Sequence, residues 1–264
     1  MVRDRRRLSC TISRRRFPDA ALVTLRPVFP LRDENPTRRT AWITVLLILA
    51  NVGVYFLLQP GSTDPSATSF TYENAAIPCE VTTGEPVSIS EILDRSDCER
   101  GDQFPQPFPE KGVYRSVVVS MFLHGGFMHL AGNMLFLWVF GNNIEDHLGA
   151  VRYLFFYLAA GVLATLAHVA IQPDSTIPLI GASGAIAGVM GAYLVWYPRA
   201  PVLALVFIIV THVPAWLLLG LWFVTQFQIN PNDGVAWMAH VGGFVFGVLF
   251  GLATRARREV TPAF

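Results

Sequence analysis

Charge is scarce in this chain. Only 15% of its 264 residues are Asp, Glu, Lys or Arg, while 52% are hydrophobic and the mean hydropathy is positive. A soluble domain of this size needs a larger polar surface, so the long apolar runs read as a multi-span membrane protein. Other absences narrow the function. No His-Glu-x-x-His occurs, the paired ligands of a zinc protease. No Asp falls in the apolar runs between 150 and 254, which argues against aspartyl chemistry inside a membrane. No inverted repeat is evident, which argues against a small channel or transporter. There is neither an internal sequence repeat nor a second soluble domain, and no metal or other cofactor is implied.

Six candidate spans remain, over about 41–59, 127–146, 150–171, 181–197, 201–225 and 237–254. The fifth is long for a hydrocarbon core that takes about 20 helical residues, so tilt or a break is expected, with Pro214 as the kink point. The sequence thus predicts an all-α polytopic bundle at 41–254, a basic tail at 1–40 expected to be flexible, a large loop at 60–120, and a short tail at 255–264.

Net charge hides an asymmetry. Residues 1–40 hold eleven arginines against four acids, and the 60–120 loop holds four basic residues against ten acids. The connections at 172–180 and 226–236 contain no Lys or Arg, while Arg152, Arg199, Arg255, Arg257 and Arg258 fall at the others or after the last span. The positive-inside rule puts both termini in the cytoplasm and the 60–120 loop outside. The basic tail reads as a topology determinant or a lipid-surface contact, with no nucleic acid needed to explain it. Ser13-Arg14-Arg15-Arg16-Phe17 has the form of a twin-arginine signal, but the apolar run starts more than twenty residues later and no small-residue cleavage site follows. The first span is therefore expected to stay as an anchor. The compact form and lack of a transit peptide point to a bacterial inner membrane.

The chain has only three cysteines. Cys10 lies in the basic tail, whereas Cys79 and Cys98 share the loop assigned to the oxidising exterior, so a Cys79–Cys98 disulfide is a candidate, with two free thiols as the alternative. Closing a loop of about 20 residues would stabilise that excursion by around 3 kcal/mol in the chain-entropy model. A loop this long is expected to pack partly on the helices.

The spans carry a few polar residues that are costly in lipid. Gly181-Ala182-Ser183-Gly184 opens the fourth span, where a helix N-terminus favours developing negative charge, although a serine N-cap is a sufficient reading of Ser183 alone. His240 begins the sixth span on the same face as Gly243, Gly247 and Gly251, within about 60° of arc, so it sits on a face that can seat closely against a neighbour. His129 and Asn133 lie four apart on one face of the second span, after His124; interhelical hydrogen bonding explains them taken singly. Together these residues form an inventory of nucleophile, base and oxyanion donors, all near the outer ends of their helices.

At these residues the chain resembles the rhomboid family of intramembrane serine proteases. The match is carried by Gly181-Ala182-Ser183-Gly184, by Ala239-His240 and its following glycines, by His124, His129 and Asn133, and by a turn at Gly141-Asn142-Asn143-Ile144-Glu145-Asp146. It covers about 41–254. The resemblance implies a six-helix fold with a water-filled cavity open outward, Ser183 as nucleophile, His240 as base, and an oxyanion hole from His129, Asn133 and the Ser183 N–H. It implies supporting roles for His124, Gly181, Gly184, Gly243, Gly247 and Arg115. Transmembrane helices would be the substrates, within the lipid bilayer, cut near the outer face after a small residue. Span five with Pro214, and the Gln226–Trp237 connection, would be the lateral gate. Two departures stand out. Tyr114-Arg115 replaces a Trp-Arg pair, and Ala187 stands where many members carry an aromatic ring that stacks on the catalytic histidine. An inactive rhomboid-like protein that binds membrane helices is the rival reading, and it would be expected to lack the Ser or the His. The sequence leaves oligomeric state open.

Overall fold

A computed structural model describes residues 28–61, 63–94, 98, 105–206, 208–228 and 235–255. The greater part of the basic tail, including Cys10, and most of the C-terminal tail lie outside these residues.

The described chain is mostly helical. After a strand β1, Val28–Asp33, come α1, Trp42–Gly53, with a wider-wound continuation at Val54–Leu58, and the short helices α2, Ala67–Asn74, α3, Pro78–Thr83, α4, Ile89–Asp94, and α5, Val113–Val119. The longer helices α6, Phe127–Leu148, α7, Ala150–Ile171, and α8, Ser183–Trp196, follow. Strands β2, Pro201–Val206, and β3, Ile209–Pro214, precede α9, Ala215–Gln226, and α10, Trp237–Arg255. The stretches Ala150–Ile171 and Trp237–Thr254 are each long and apolar enough to cross a bilayer. The outward faces of several helices are apolar: Leu46 and Leu49 on α1 and Phe155 on α7 are more than half exposed, a pattern suited to lipid and costly in water.

Helix α8 is the centre of the bundle. Every residue from Gly184 to Tyr193 is buried. Its small residues allow this by letting neighbouring backbones approach. A Cβ on Gly243 of α10 would lie 2.1 Å from the Gly184 carbonyl oxygen, and one on Gly247 would lie 1.9 Å from that of Gly188. From the other side, a Cβ on Gly188 would meet Ala160 of α7 at 2.6 Å. Helices α7, α8 and α10 therefore pack nearly backbone to backbone, where dispersion and close fit stand in for a hydrophobic drive that lipid does not supply.

The fifth apolar run does not form one long helix. Pro201–Val206 and Ile209–Pro214 pair as antiparallel strands, and β1 adds to them, giving a three-stranded sheet of order β1-β2-β3 with a bulge between Pro30 and Arg32. The run between the two prolines is rich in β-branched residues, and its apolarity conceals a period of two: Val202 and Ala204 turn into the core while their neighbours do not. Pro214 is the residue before α9, with extended backbone, and so it starts the helix instead of kinking one. The sheet also orders residues 28–33 of the expected flexible tail, and the all-α expectation is corrected to a helical bundle with a small sheet.

A second difference lies at the end of α6. Gly141 to Asp146, a turn in the family resemblance though within the span read as 127–146, continues the helix. Its polar side chains hold the segment before α1. Glu145 accepts from the Ile43 N–H at 2.9 Å, and from the Thr44 N–H and hydroxyl at 2.8 Å each, capping the start of α1. Asp146 accepts from the Arg39 N–H, and Asn143 bonds Asp33 and Asn35.

The described residues of the 60–120 loop pack around Tyr72, Ile77, Cys79 and Val87, with a disulfide between Cys79 and Cys98. Glu80 and Lys111 form an ion pair at 2.6 Å with both side chains 1% exposed, and Lys111 also donates to the Tyr72 carbonyl. This unit docks on the α7–α8 connection. The Cys79 and Cys98 N–H groups donate to the Ser175 and Asp174 carbonyls, and Leu179 N–H donates to Ala76 at 2.7 Å.

Candidate active site

Ser183 is the first residue of α8 and follows Gly181, whose φ of 122° is a conformation open to glycine and strained for other residues. The Gly181 N–H donates to the Ser120 carbonyl, so the approach to Ser183 is tied to the end of the α5 segment. His240 is in the first turn of α10, and the glycine seam brings it across. The result is a hydrogen bond of 2.8 Å between Ser183 Oγ and His240 Nε2, over 57 residues of sequence.

Asn133 and His129 arrive from α6. The Asn133 side chain is buried, and its Nδ2 has no hydrogen-bond partner among the described residues. Buried amide donors are normally satisfied, and this one lines the cavity at Ser183. A Cβ placed on Gly181 would lie 2.8 Å from His129 Nε2 and 3.6 Å from Asn133 Nδ2, so both donors converge on the backbone two residues before the serine. His129 Nδ1 accepts a long 3.4 Å bond from the Gly125 N–H, leaving Nε2 to carry the proton toward the cavity.

The cavity has a volume of about 440 Å³. Met128, Phe136, Ile180 and Trp222 supply apolar wall, and Ser183 and His240 lie together in it. Its mixture of apolar wall and few convergent polar groups is that of a binding cleft.

Other residues singled out from sequence take different places. His124 is buried beside the site, its ring 5.1 Å from that of His129, and its backbone N–H and C=O both bond the Gln59 side chain. Gly184, Gly243 and Gly247 form the seam. Arg115 is exposed on α5 and does not line the cavity, and neither does Pro214 at the far end of α9. Of the Gln226–Trp237 connection, 229–234 lie outside the described residues. Ala187 is fully buried and offers His240 no ring. A residue not singled out from sequence takes that side: Gln226, the last of α9, places Oε1 2.8 Å from His240 Nδ1. One turn earlier, the Trp222 ring lies 6.0 Å from the imidazole. A lone glutamine closing an apolar helix was the available signal, since polar groups at membrane depth are expensive.

The family model described as Rhomboid domain matches residues 111–257, from just before α5 to the end of α10, with Ser183, His240, His129 and Asn133 inside it. The chain belongs to the rhomboid family. A mitochondrial rhomboid protein 1 from Saccharomyces cerevisiae is 34% identical over 148 residues, covering 52% of this chain and 40% of that protein. The rhomboid protease GluP of Bacillus subtilis is 40% identical over 84 residues, covering 32% of this chain and 16% of its own length. The rhomboid-type serine protease 2 of Emericella nidulans is 25% identical over 193 residues, or 68% of this chain and 35% of that protein. The chain thus spans less than half the length of these three relatives. As a rhomboid-family chain it has a helical, polytopic membrane fold.

Proposed function

We propose that this rhomboid-family chain is an intramembrane serine endopeptidase that cleaves transmembrane helices with a Ser183–His240 dyad. The observation that carries the reading is the 2.8 Å bond between Ser183 Oγ and His240 Nε2 in a cavity that also holds an unpartnered Asn133 amide. Relatives named as proteases support the same chemistry.

In the proposed reaction His240 Nε2 takes the proton from Ser183 as Oγ attacks the scissile carbonyl carbon. The developing oxyanion is met by Asn133 Nδ2, His129 Nε2 and the Ser183 N–H, where the α8 N-terminus adds a favourable dipole. The imidazolium returns its proton to the leaving amine. Water entering through the cavity then hydrolyses the acyl-enzyme, with His240 again as base. A peptide bond inside a helix is shielded and hydrogen-bonded, so helix-weakening residues near the cut site favour the reaction.

Six helices, α1 and α6 through α10, act as the membrane spans, with α8 and α9 shortened at their cytoplasmic ends. The arginine distribution supports cytoplasmic termini, an extracytoplasmic 60–120 loop and an outward-facing cavity. Helix α9 serves as the lateral gate, since Trp222 and Gln226 form one wall of the cavity. The experiment is cleavage of a transmembrane reporter by purified protein in detergent, with labelling by a fluorophosphonate. Ser183→Ala and His240→Ala should each abolish cleavage and labelling. Cleavage that persists in Ser183→Ala would overturn the mechanism, and an intact protein that binds the reporter without cutting it would favour an inactive helix-binding role.

A further inference from the structure

The hydrogen bonds around Gln226 determine which nitrogen of His240 carries its proton. Gln226 Nε2 lies 2.9 Å from the Trp222 carbonyl oxygen, which can only accept, so the NH₂ side of the amide faces Trp222. The same nitrogen is 3.3 Å from Thr225 Oγ1, whose own proton is committed to the Trp222 carbonyl at 2.6 Å. The amide orientation therefore follows from its surroundings. Oε1 then faces His240 Nδ1 at 2.8 Å, and an amide oxygen only accepts, so Nδ1 must bear the hydrogen. A neutral imidazole protonated at Nδ1 is bare at Nε2, the nitrogen that faces Ser183 Oγ at 2.8 Å.

We propose that Gln226 is a positioning residue that holds His240 in the tautomer and ring orientation needed to accept the serine proton. The inference rests on the reading of His240 as the base. It accounts for Ala187: the ring that α8 lacks is replaced by a hydrogen bond from α9, with Trp222 on the same flank. The support is of the kind a buried carboxylate gives in a triad, but it comes from a neutral group that adds no charge to a membrane-embedded site. It also ties catalysis to the helix proposed as the gate. The two ring nitrogens of His240 meet Ser183 from α8 and Gln226 from α9.

The test compares Gln226→Leu and Gln226→Glu with the parent protein in detergent, measuring kcat and KM for a transmembrane reporter, the rate of fluorophosphonate labelling, and thermal unfolding. The leucine variant should lose about 10- to 100-fold in kcat, between the loss of one neutral hydrogen bond and that of a full tautomer switch, with KM within about twofold. Its fold should persist, because Thr225 still satisfies the Trp222 carbonyl. Glutamate keeps an acceptor oxygen at this position, so kcat should recover. Equal impairment of both folded variants, or a leucine variant with parental kcat, overturns the proposal. Ser183→Ala measured in parallel separates the two readings: cleavage surviving there removes the dyad itself, whereas loss there with an unaffected leucine variant removes only the role of Gln226.

Discussion

Gly243 packs so closely on Gly184 that a methyl group on the first would stand 2.1 Å from the carbonyl oxygen of the second. One glycine follows Ser183 directly, and the other lies three residues beyond His240. The backbone contact therefore sets the spacing of the proposed dyad.

Gly243→Ala should separate α8 from α10, because the obstacle is backbone and not a flexible side-chain end. Overpacking a tight core costs about 1–3 kcal/mol, and a backbone clash belongs at the top of that range. Thermal unfolding in detergent should shift down, and fluorophosphonate labelling of Ser183 should fall by more than the folded fraction does. Gly220→Ala on α9, where nothing lies within 4 Å of the new methyl, should leave unfolding nearly unchanged.

Asn133→Ala should slow reporter cleavage by about 10²–10³ in kcat, the usual loss for one oxyanion donor, with His129 limiting the effect. The variant removes a buried donor that has no partner among the described residues, so stability should hold or rise slightly. A large drop in melting temperature with parental kcat would assign Asn133 to packing.

Replacing Cys79 and Cys98 by serine should loosen the loop unit and its grip on the α7–α8 connection. The chain-entropy model puts the loss near 3 kcal/mol for a loop of about 20 residues. Limited proteolysis should cut the 60–120 segment faster. Cleavage activity should fall as well, since Leu179, bonded to Ala76, borders the cavity and leads to Ser183.

The Glu80–Lys111 pair carries a pH prediction. Burial pushes the Glu80 carboxyl above its usual range, against the pull of the Lys111 cation, and the same burial pushes Lys111 below its own. In Lys111→Met the opposing cation is gone, so Glu80 rises further when folded while staying ordinary when unfolded. Between those two values the folded state binds more protons, so stability falls as pH rises. The variant should therefore be more stable at pH 5 than at pH 7 by chemical denaturation followed with hydrogen exchange at the loop. At neutral pH its loss should approach the 3–5 kcal/mol typical of an orphaned buried charge, and a Glu80→Gln, Lys111→Met double variant should recover most of it.

Much of the bundle was legible because apolar runs with helical length leave few alternatives in lipid. Residues 150–171 form a helix with those bounds, and α6, α8 and α10 differ by a few residues at their ends. The misreadings have physical causes. At 201–214 hydropathy cannot distinguish a buried hairpin from a helix, and only the two bracketing prolines and the β-branched run hinted at strands. At 141–146 the family resemblance suggested a turn although the span read as 127–146 already covered these residues, and side chains that cap a neighbouring segment let the helix continue.

The local chemistry of this chain was determined by sequence alone: which residues are polar within apolar runs, which glycines share a face, and which two cysteines share a loop. These follow from residue identity and helical period. What only the tertiary structure decided is the support of His240. Gln226 sits 14 residues away on a separate helix, and its amide orientation depends on the Trp222 carbonyl and Thr225. Local periodicity does not determine a hydrogen bond between two helices. That bond exists because the close packing of α8 and α10 leaves α9 the open flank of the imidazole.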